Sequence, residues 1–383
     1  MRILSHEIRK VFTLKMFALL IVISAIIYQL FISFYFQYFP NGRPFLDYYR
    51  ISVQMLKDYG THMDETEFLH FQQQYKEQVE EANHYLQSNK GFVDAGITTY
   101  EDFRNTVFNS DLEALRSDAY NKSRVDIFYE LQAREGLIQK YENKETDKLR
   151  AYAYPSPIKE EQAARIEQLV NNESITAIFP HLVFENYNTL ITYVAVLVVL
   201  SVSFMISPMF IKDRKNHVID LQYTAKTGRP LFKKKIAAAM VSSCLITTAQ
   251  LLCFFLLYSA NHVSMFFNSN INSVFNYGAY WYDLTFIQYI VLTVVALYVL
   301  GMIVTLLTLL ISSLAPNYIT IIGAQVPLLF ILLKLLLDVL IGDSINIRYP
   351  QYVQPLLYLS LAAAAVIMVI VRWKKEQVAD IKG

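Results

Sequence analysis

Two ionisable residues, Lys334 and Asp338, stand four apart in the otherwise apolar run from Ile319 to Ile341. Charged groups in hydrocarbon are costly and mark either a pairing or a polar path for a substrate. A separation of four puts both on one face of a helix, where they can pair. Asp338 is close to the end of the run and Lys334 can reach the same boundary, which favours a structural pair over a substrate contact. Gly323 and Pro327 in the same run permit close packing or a bend. A second group lies between Ile211 and Lys235, where Asp213, Asp220, Lys226 and Arg229 surround an amphipathic stretch from Val218 to Tyr223. Apolar and aromatic anchors such as Leu221 and Tyr223, flanked by orienting charges, are what a docking segment uses to seat in a partner. An ordinary basic loop would explain the charge but neither the length nor the apolar stretch.

Other chemistry finds no residues to perform it. The nearest imitation of a phosphate loop, Thr227-Gly228-Arg229-Pro230, lacks the glycines whose amides would cradle phosphate, so this chain is not expected to hydrolyse ATP. The histidines (His6, His62, His70, His84, His181, His217, His262) are scattered without metal-ligand spacing, and no Cys-x-x-Cys occurs. Cys244 and Cys253 share one apolar stretch and read as buried free thiols. No catalytic residue, metal, cofactor or nucleic-acid partner is expected of the chain itself.

The elements that must position these residues are apolar. Of the 383 residues, 54% are hydrophobic and only 17% charged. Runs of about 20 apolar residues, enough to cross a bilayer, give spans at 16–36, 189–210, 236–258, 286–312, 319–341 and 356–371. The first is too long for a signal peptide and ends at Phe36-Gln-Tyr-Phe-Pro40 without a small-residue cleavage site. The lipid bilayer is therefore a partner of the chain, which reads as an all-α polytopic membrane protein with six transmembrane helices. Arg2, Arg9, Lys10 and Lys15 precede span one, eight basic residues lie between Lys212 and Lys235, and Arg372, Lys374, Lys375 and Lys382 follow span six. Ser259 to Thr285 has no Lys or Arg, and Gly342 to Pro355 has only Arg348. The positive-inside rule puts both termini and the 211–235 loop in the cytoplasm of a multi-pass cell-membrane protein, with the tail 372–383 inside. Residues 37–188 then form an extracellular domain between spans one and two. That region carries 16 basic and 25 acidic residues, against 18 and 8 elsewhere, which reads either as an ordinary acidic exposed surface or as one that attracts cationic molecules leaving the cell.

The extracellular domain reads as helical. Phe68, Phe71, Tyr75, Val79, Ala82 and Leu86 recur at helical spacing, Gly91 and Gly96 interrupt, and Thr98 to Asp102 holds two overlapping N-cap signals. Tyr100, Phe103, Val107, Val125, Phe128 and Tyr129 are candidate buried positions of the next stretch. Ser156-Pro157 with Glu160 and Glu161 opens a further helix, and Pro180 marks a break before span two.

Three local features resemble the permease subunits of the second large class of ABC exporters, those with the type V fold, in the branch with a large extracellular insertion after the first span. Met1-Arg-Ile-Leu-Ser-His-Glu7-Ile-Arg9-Lys10, within residues 1–15, looks like that family's amphipathic cytoplasmic elbow helix. Ile211-Lys-Asp-Arg-Lys-Asn216, Tyr223 to Pro230 and Lys233-Lys-Lys235 look like its coupling loop. The six-span plan matches as well. One departure stands out: the family often has Glu followed by Gly after span two, and here Asp213 stands with Asn216-His217. The resemblance implies two permeases, either copies or homologues, with two separate ABC ATPase subunits that bind the ATP and Mg. It implies export of a hydrophobic or amphipathic substrate, with a cationic antimicrobial peptide among the candidates. The alternative reading is a membrane-anchored sensor or assembly scaffold whose extracellular domain binds a ligand or partner.

The topology is open to test by single cysteines at Ser5, Ser110 and Thr227, in a background lacking Cys244 and Cys253. An impermeant thiol reagent on intact cells is expected to label Ser110→Cys only; labelling at Thr227→Cys without Ser110→Cys would reverse the orientation.

Overall fold

A backbone that cannot reach water must close its hydrogen bonds within itself, which makes apolar runs of this length helices. The computed structural model describes residues 2–107, 112–117, 119–120, 126–144, 159–216 and 231–378, with no β-strand among them. Helix α1 covers Arg2–Val11. The first long apolar helix, α2, is Leu14–Gln37, with one π-helical stretch at Tyr28–Ile32. A polar group of helices follows: α3 (Phe45–Tyr59), α4 (Glu65–Ser88), α5 (Lys90–Asp94), α6 (Tyr100–Asn105), α7 (Glu113–Ser117), α8 (Ile127–Glu142) and α9 (Glu160–Val170). The remaining apolar helices are α10 (His181–Ile206) running into α11 (Pro208–Lys215), α12 (Leu231–Tyr258), α13 (Phe286–Leu314), α14 (Tyr318–Leu335) and α15 (Val353–Val378). Six helices are thus long and apolar enough to cross a membrane, and each overlaps one of the expected spans.

The chain divides into two units. The first comprises 1–37, 186–264 and 287–383, and the second 38–185 with 265–286. In the first unit, the helix α10–α11 is the most enclosed, with 72% of its apolar window buried, while α2 and α15 have 11% each and form the periphery. Polar side chains cross-link the interior, where apolar contacts alone give no preference over lipid. Tyr187 Oη meets Thr293 Oγ1 at 2.7 Å, Gln250 donates to Ser201 at 2.7 Å, and Asn261 donates to Asn186 at 2.9 Å. Gly301 lets α13 approach α12 closely: a Cβ there would stand 3.3 Å from both Ser243 Oγ and Thr247 Oγ1. Cys244 is half-buried and Cys253 exposed, so the second thiol is not enclosed as expected. On a bundle helix it faces outward, where an apolar thiol suits lipid as well as protein.

The second unit is a helical domain around aromatic side chains. Phe68, Phe71, Ala82 and Leu86 of α4 are buried as their spacing predicts, with Tyr75 and Val79 at the edge of the core. Phe128 packs on Phe103 with centroids 4.6 Å apart, and Phe68 stacks on Tyr141 at 4.1 Å. Of the two overlapping caps, Thr99 starts α6, in a capping box with Asp102; Asp64 and Glu67 form another at the start of α4. Val107 is 88% exposed, because α6 has ended at Asn105 and the chain there is extended. Val125 and Ser156-Pro157 lie outside the described residues.

The expected domain ended at residue 188, yet the unit also takes in 265–286. That segment is built on asparagine side chains that bond nearby backbone. Asn272 Oδ1 accepts from the Tyr280 amide at 2.8 Å, and Asn276 donates to Ile271 O at 2.8 Å. Arg165 of α9 holds the segment through Asp283 at 2.9 Å and Tyr280 O at 3.2 Å. Lys140 of α8 places its Nζ 3.7 Å from the Tyr277 ring centroid.

Burial drives the Lys140 amine down to about 7. An unfolded lysine keeps its proton to about 10.4. Between those values the unfolded chain binds a proton that the folded unit lacks, so stability rises with pH through the window, and the penalty is complete below pH 7. With Trp373→Phe, Trp281 is the one tryptophan left and lies in this unit. Its emission is expected to report a higher unfolding midpoint at pH 9 than at pH 7, and Lys140→Met is expected to flatten that rise.

Candidate functional site

Helix α1 is amphipathic and packs on α12 and α11. Glu7 and Val11 are buried, Lys10 is half-buried, and Arg9 is exposed. The buried face brings Glu7 and Lys10 to the end of the bundle where α11 stops and α12 begins.

There Asp213 is held from two sides. Lys10 Nζ lies 2.9 Å from its Oδ1, and Lys235 Nζ lies 2.5 Å from its Oδ2. Lys10 also reaches Glu7 Oε1 at 2.7 Å. Two carboxylates and two ammoniums thus make a neutral cluster. Buried charge persists only when paired in this way, and Lys235 is 1% and Asp213 3% exposed. The Lys235 ammonium also sits over the Phe210 ring, 4.3 Å from its centroid. Burial by itself would lower the Lys10 ammonium, but its hydrogen bonds to Glu7 and Asp213, with their charges, prevail and raise it above the ordinary lysine value.

The neighbouring basic residues fasten helix ends. Lys212 Nζ donates to Lys10 O at 2.9 Å, at the C-terminus of α1. The Arg214 guanidinium donates to the carbonyls of Ser313 and Ala315, at the end of α13. Arg372 of α15 donates to Ser313 O at 3.1 Å and pairs with Glu376. Lys233 lies over the Trp373 ring at 4.1 Å. Cations at C-terminal carbonyls satisfy orphan acceptors and meet the negative end of the helix dipole.

Of the residues singled out from sequence, the structure brings together Glu7, Lys10 and Asp213, and leaves Arg9 outside. Asp220, Leu221, Tyr223, Lys226 and Arg229 lie outside the described residues. Lys235, Arg214, Arg372 and Ser313 were not foreseen. A signal for Lys235 existed: Phe232, Lys235, Ala239 and Ser242 recur at three and four, so of Lys233-Lys234-Lys235 only the last falls on the buried face.

Lys334 and Asp338 are both exposed, and no ion pair joins them among the described residues. The pairing drawn from their spacing assumed a regular α-helix. The backbone instead widens to a π-helix at Leu336–Leu340, which begins after Lys334 and contains Asp338. The freed carbonyl of Leu340 accepts from Gln354 and Tyr358 of α15, each at 3.2 Å. Both charges therefore look out from the first unit and not into a cavity within it.

Among the described residues no group of His, Cys, Asp and Glu has metal-binding geometry. His62 and His70 engage separate partners, Thr61 and Tyr59. The arrangement at Asp213 is suited to mechanical linkage: it ties α1 to both helices that flank residues 217–230. No protein-family model, curated protein or solved structure matches the chain.

Removing one partner of such a cluster strands a buried charge, at a cost of about 3–5 kcal/mol. Asp213→Asn is expected to lower the thermal midpoint of the detergent-solubilised chain accordingly. Asp213→Leu combined with Lys235→Met should be milder. An Asp213→Asn chain as stable as the parent would show that the cluster adds nothing to the fold.

Proposed function

We propose that this chain is the transmembrane permease subunit of an ATP-driven ABC exporter, moving a hydrophobic or amphipathic substrate out of the cell with power from a separate ATPase subunit. The observation that carries this reading is the fastening of both ends of residues 217–230. One end is tied through Asp213 and Arg214, the other through Lys235 and Lys233, to α1, α13 and α15. A partner that pushes on the segment from the cytoplasm thereby moves several helices together. Such a push shifts the permease only where ATP binds the closed ATPase pair better than the open one. The six apolar helices fit a multi-pass protein, and the acidic character of residues 37–188 suits an outer face that draws cationic molecules away from the membrane. In this reading a second permease completes the complex, and the outward-facing Lys334 and Asp338 lie where such a neighbour or lipid headgroups would meet them.

One observation favours a second reading, a membrane-anchored sensor or scaffold. The second unit has a cavity of about 350 Å³ lined by Tyr100, Phe103, Arg104, Arg116, Tyr120 and Gln132 among others. A ligand taken there needs no ATPase.

Purification from native membrane separates the two. The exporter reading expects an ABC ATPase to co-elute, the pure chain alone to turn over no ATP, and the reconstituted complex to show substrate-stimulated hydrolysis. Leu221→Ala with Tyr223→Ala should leave insertion intact and abolish export or uncouple hydrolysis from it. Normal stimulation and export in that double variant would remove the segment from the mechanism.

A further inference from the structure

The helix α10–α11 breaks at one place, Ser207-Pro208. Pro208 has no N–H to give the carbonyl four residues back, and its ring crowds that carbonyl, so the ladder loses a rung there. The backbone at this break is met by another helix. Ser312 Oγ of α13 donates to Ser207 O at 2.6 Å and accepts from the Phe210 amide at 3.3 Å. Phe210 is the third residue of α11, whose first amides have no partner within their own helix. One hydroxyl of α13 thus stands in the break and serves both of its sides.

Gln325 of α14 meets the same break. The Ser207 hydroxyl lies 2.5 Å from Ser203 O and 2.9 Å from Gln325 Oε1. It has one proton and two acceptors. Turned to Ser203 O it bonds back into its own helix, a contact that bends helices; turned to Gln325 it ties the break to α14. Gln325 Nε2 also approaches Ser203 O at 3.4 Å and Thr308 Oγ1 at 3.5 Å. Ser207, Thr308, Ser312 and Gln325 are all buried, so no water competes for these bonds and each group keeps a protein partner.

We propose that Ser207-Pro208 is a hinge, that Ser312 and Gln325 are the positioning residues that set its angle, and that through it α11 passes its motion to α13 and α14. The role of this hinge in transport rests on the exporter reading; its existence does not. Alternative hydrogen-bond partners at a proline break give discrete arrangements of the kind that hinged helices switch between.

The test uses the full chain in lipid nanodiscs, lacking Cys244 and Cys253, with spin labels at Lys215→Cys and Tyr352→Cys, both exposed positions. Ser312→Ala and Gln325→Leu are each expected to broaden or shift the distance distribution. Ser312→Thr, which keeps the hydroxyl, should restore it. Distributions superimposable on the parent in both variants would overturn the hinge. Hydrogen exchange on the parent chain gives a reading free of substitutions. The Met209 to Ile211 amides should exchange about tenfold faster than those of Thr308 to Ile311 in α13, the helix that supplies Ser312, because a hinge opens locally. Equal protection would overturn the proposal. Neither readout involves ATP. Absence of an ATPase partner therefore removes the exporter reading and leaves the hinge, whereas unchanged distances remove the hinge and leave the exporter reading.

Discussion

A carboxylate shut away from water must be neutralised where it stands, and Asp213 is neutralised by two ammoniums from two different helices. Lys10 comes from α1 and Lys235 from α12, one to each oxygen. Either lysine alone would leave one oxygen of a buried anion without a cation. The requirement therefore fixes three segments at once: the N-terminal helix, the end of α11 and the start of α12. Glu7 balances the second ammonium, and the cluster closes with no net charge. Such pairs owe their persistence to the cost of breaking them more than to any gain over an apolar replacement. In the proposed exporter, that suits a joint which transmits displacement without coming apart.

The same physics operates about two turns deeper, with neutral groups. The backbone of α10–α11 must be satisfied in an apolar setting, and Pro208 prevents it from doing so alone. Ser312 gives the Phe210 amide a partner from outside the helix, and Gln325 meets the Ser207 hydroxyl beside the break. The two sites lie on either side of α11, an eight-residue piece. One end of that piece is held by full charges and the other by hydroxyl and amide groups. The charged end is the stiffer, since charge-assisted bonds are about twice as strong as neutral ones. In the proposed hinge, movement entering at Asp213 is taken up at Ser207.

The second unit is built on a different economy. Its core is aromatic, and its buried cations lie against rings, Arg134 over Phe71 and Lys140 over Tyr277. It is strung on the chain at four junctions, because residues 265–286 belong to it as well as 38–185. Arg165 with Asp283 and Lys140 with Tyr277 join parts of the unit more than 100 residues apart in the chain. Any account of what this unit does must include the segment between α12 and α13.

Composition and periodicity by themselves determined that the chain is helical, that six runs are long and apolar enough to span a bilayer, and that Phe68, Phe71, Ala82 and Leu86 face a core. These follow from local rules: a backbone without water bonds to itself, and a period of 3.6 sets a face. Asp213, Glu7 and Lys10 were visible as charged residues beside apolar runs. Only tertiary structure decided that they meet, that Lys235 joins them, and that Arg9 does not. The reason is that Lys10 and Asp213 lie 203 residues apart, and that a local face can single out Lys235 among three lysines but cannot name the carboxylate it meets. The π-helical turn at Leu336–Leu340 is likewise stabilised by Gln354 and Tyr358 of another helix, which is why spacing alone misplaced the Lys334–Asp338 pair. The hinge follows the same logic. The expected span 189–210 runs through Pro208 without marking a break, and the hydroxyl and amide that meet the break come from α13 and α14, brought there by packing.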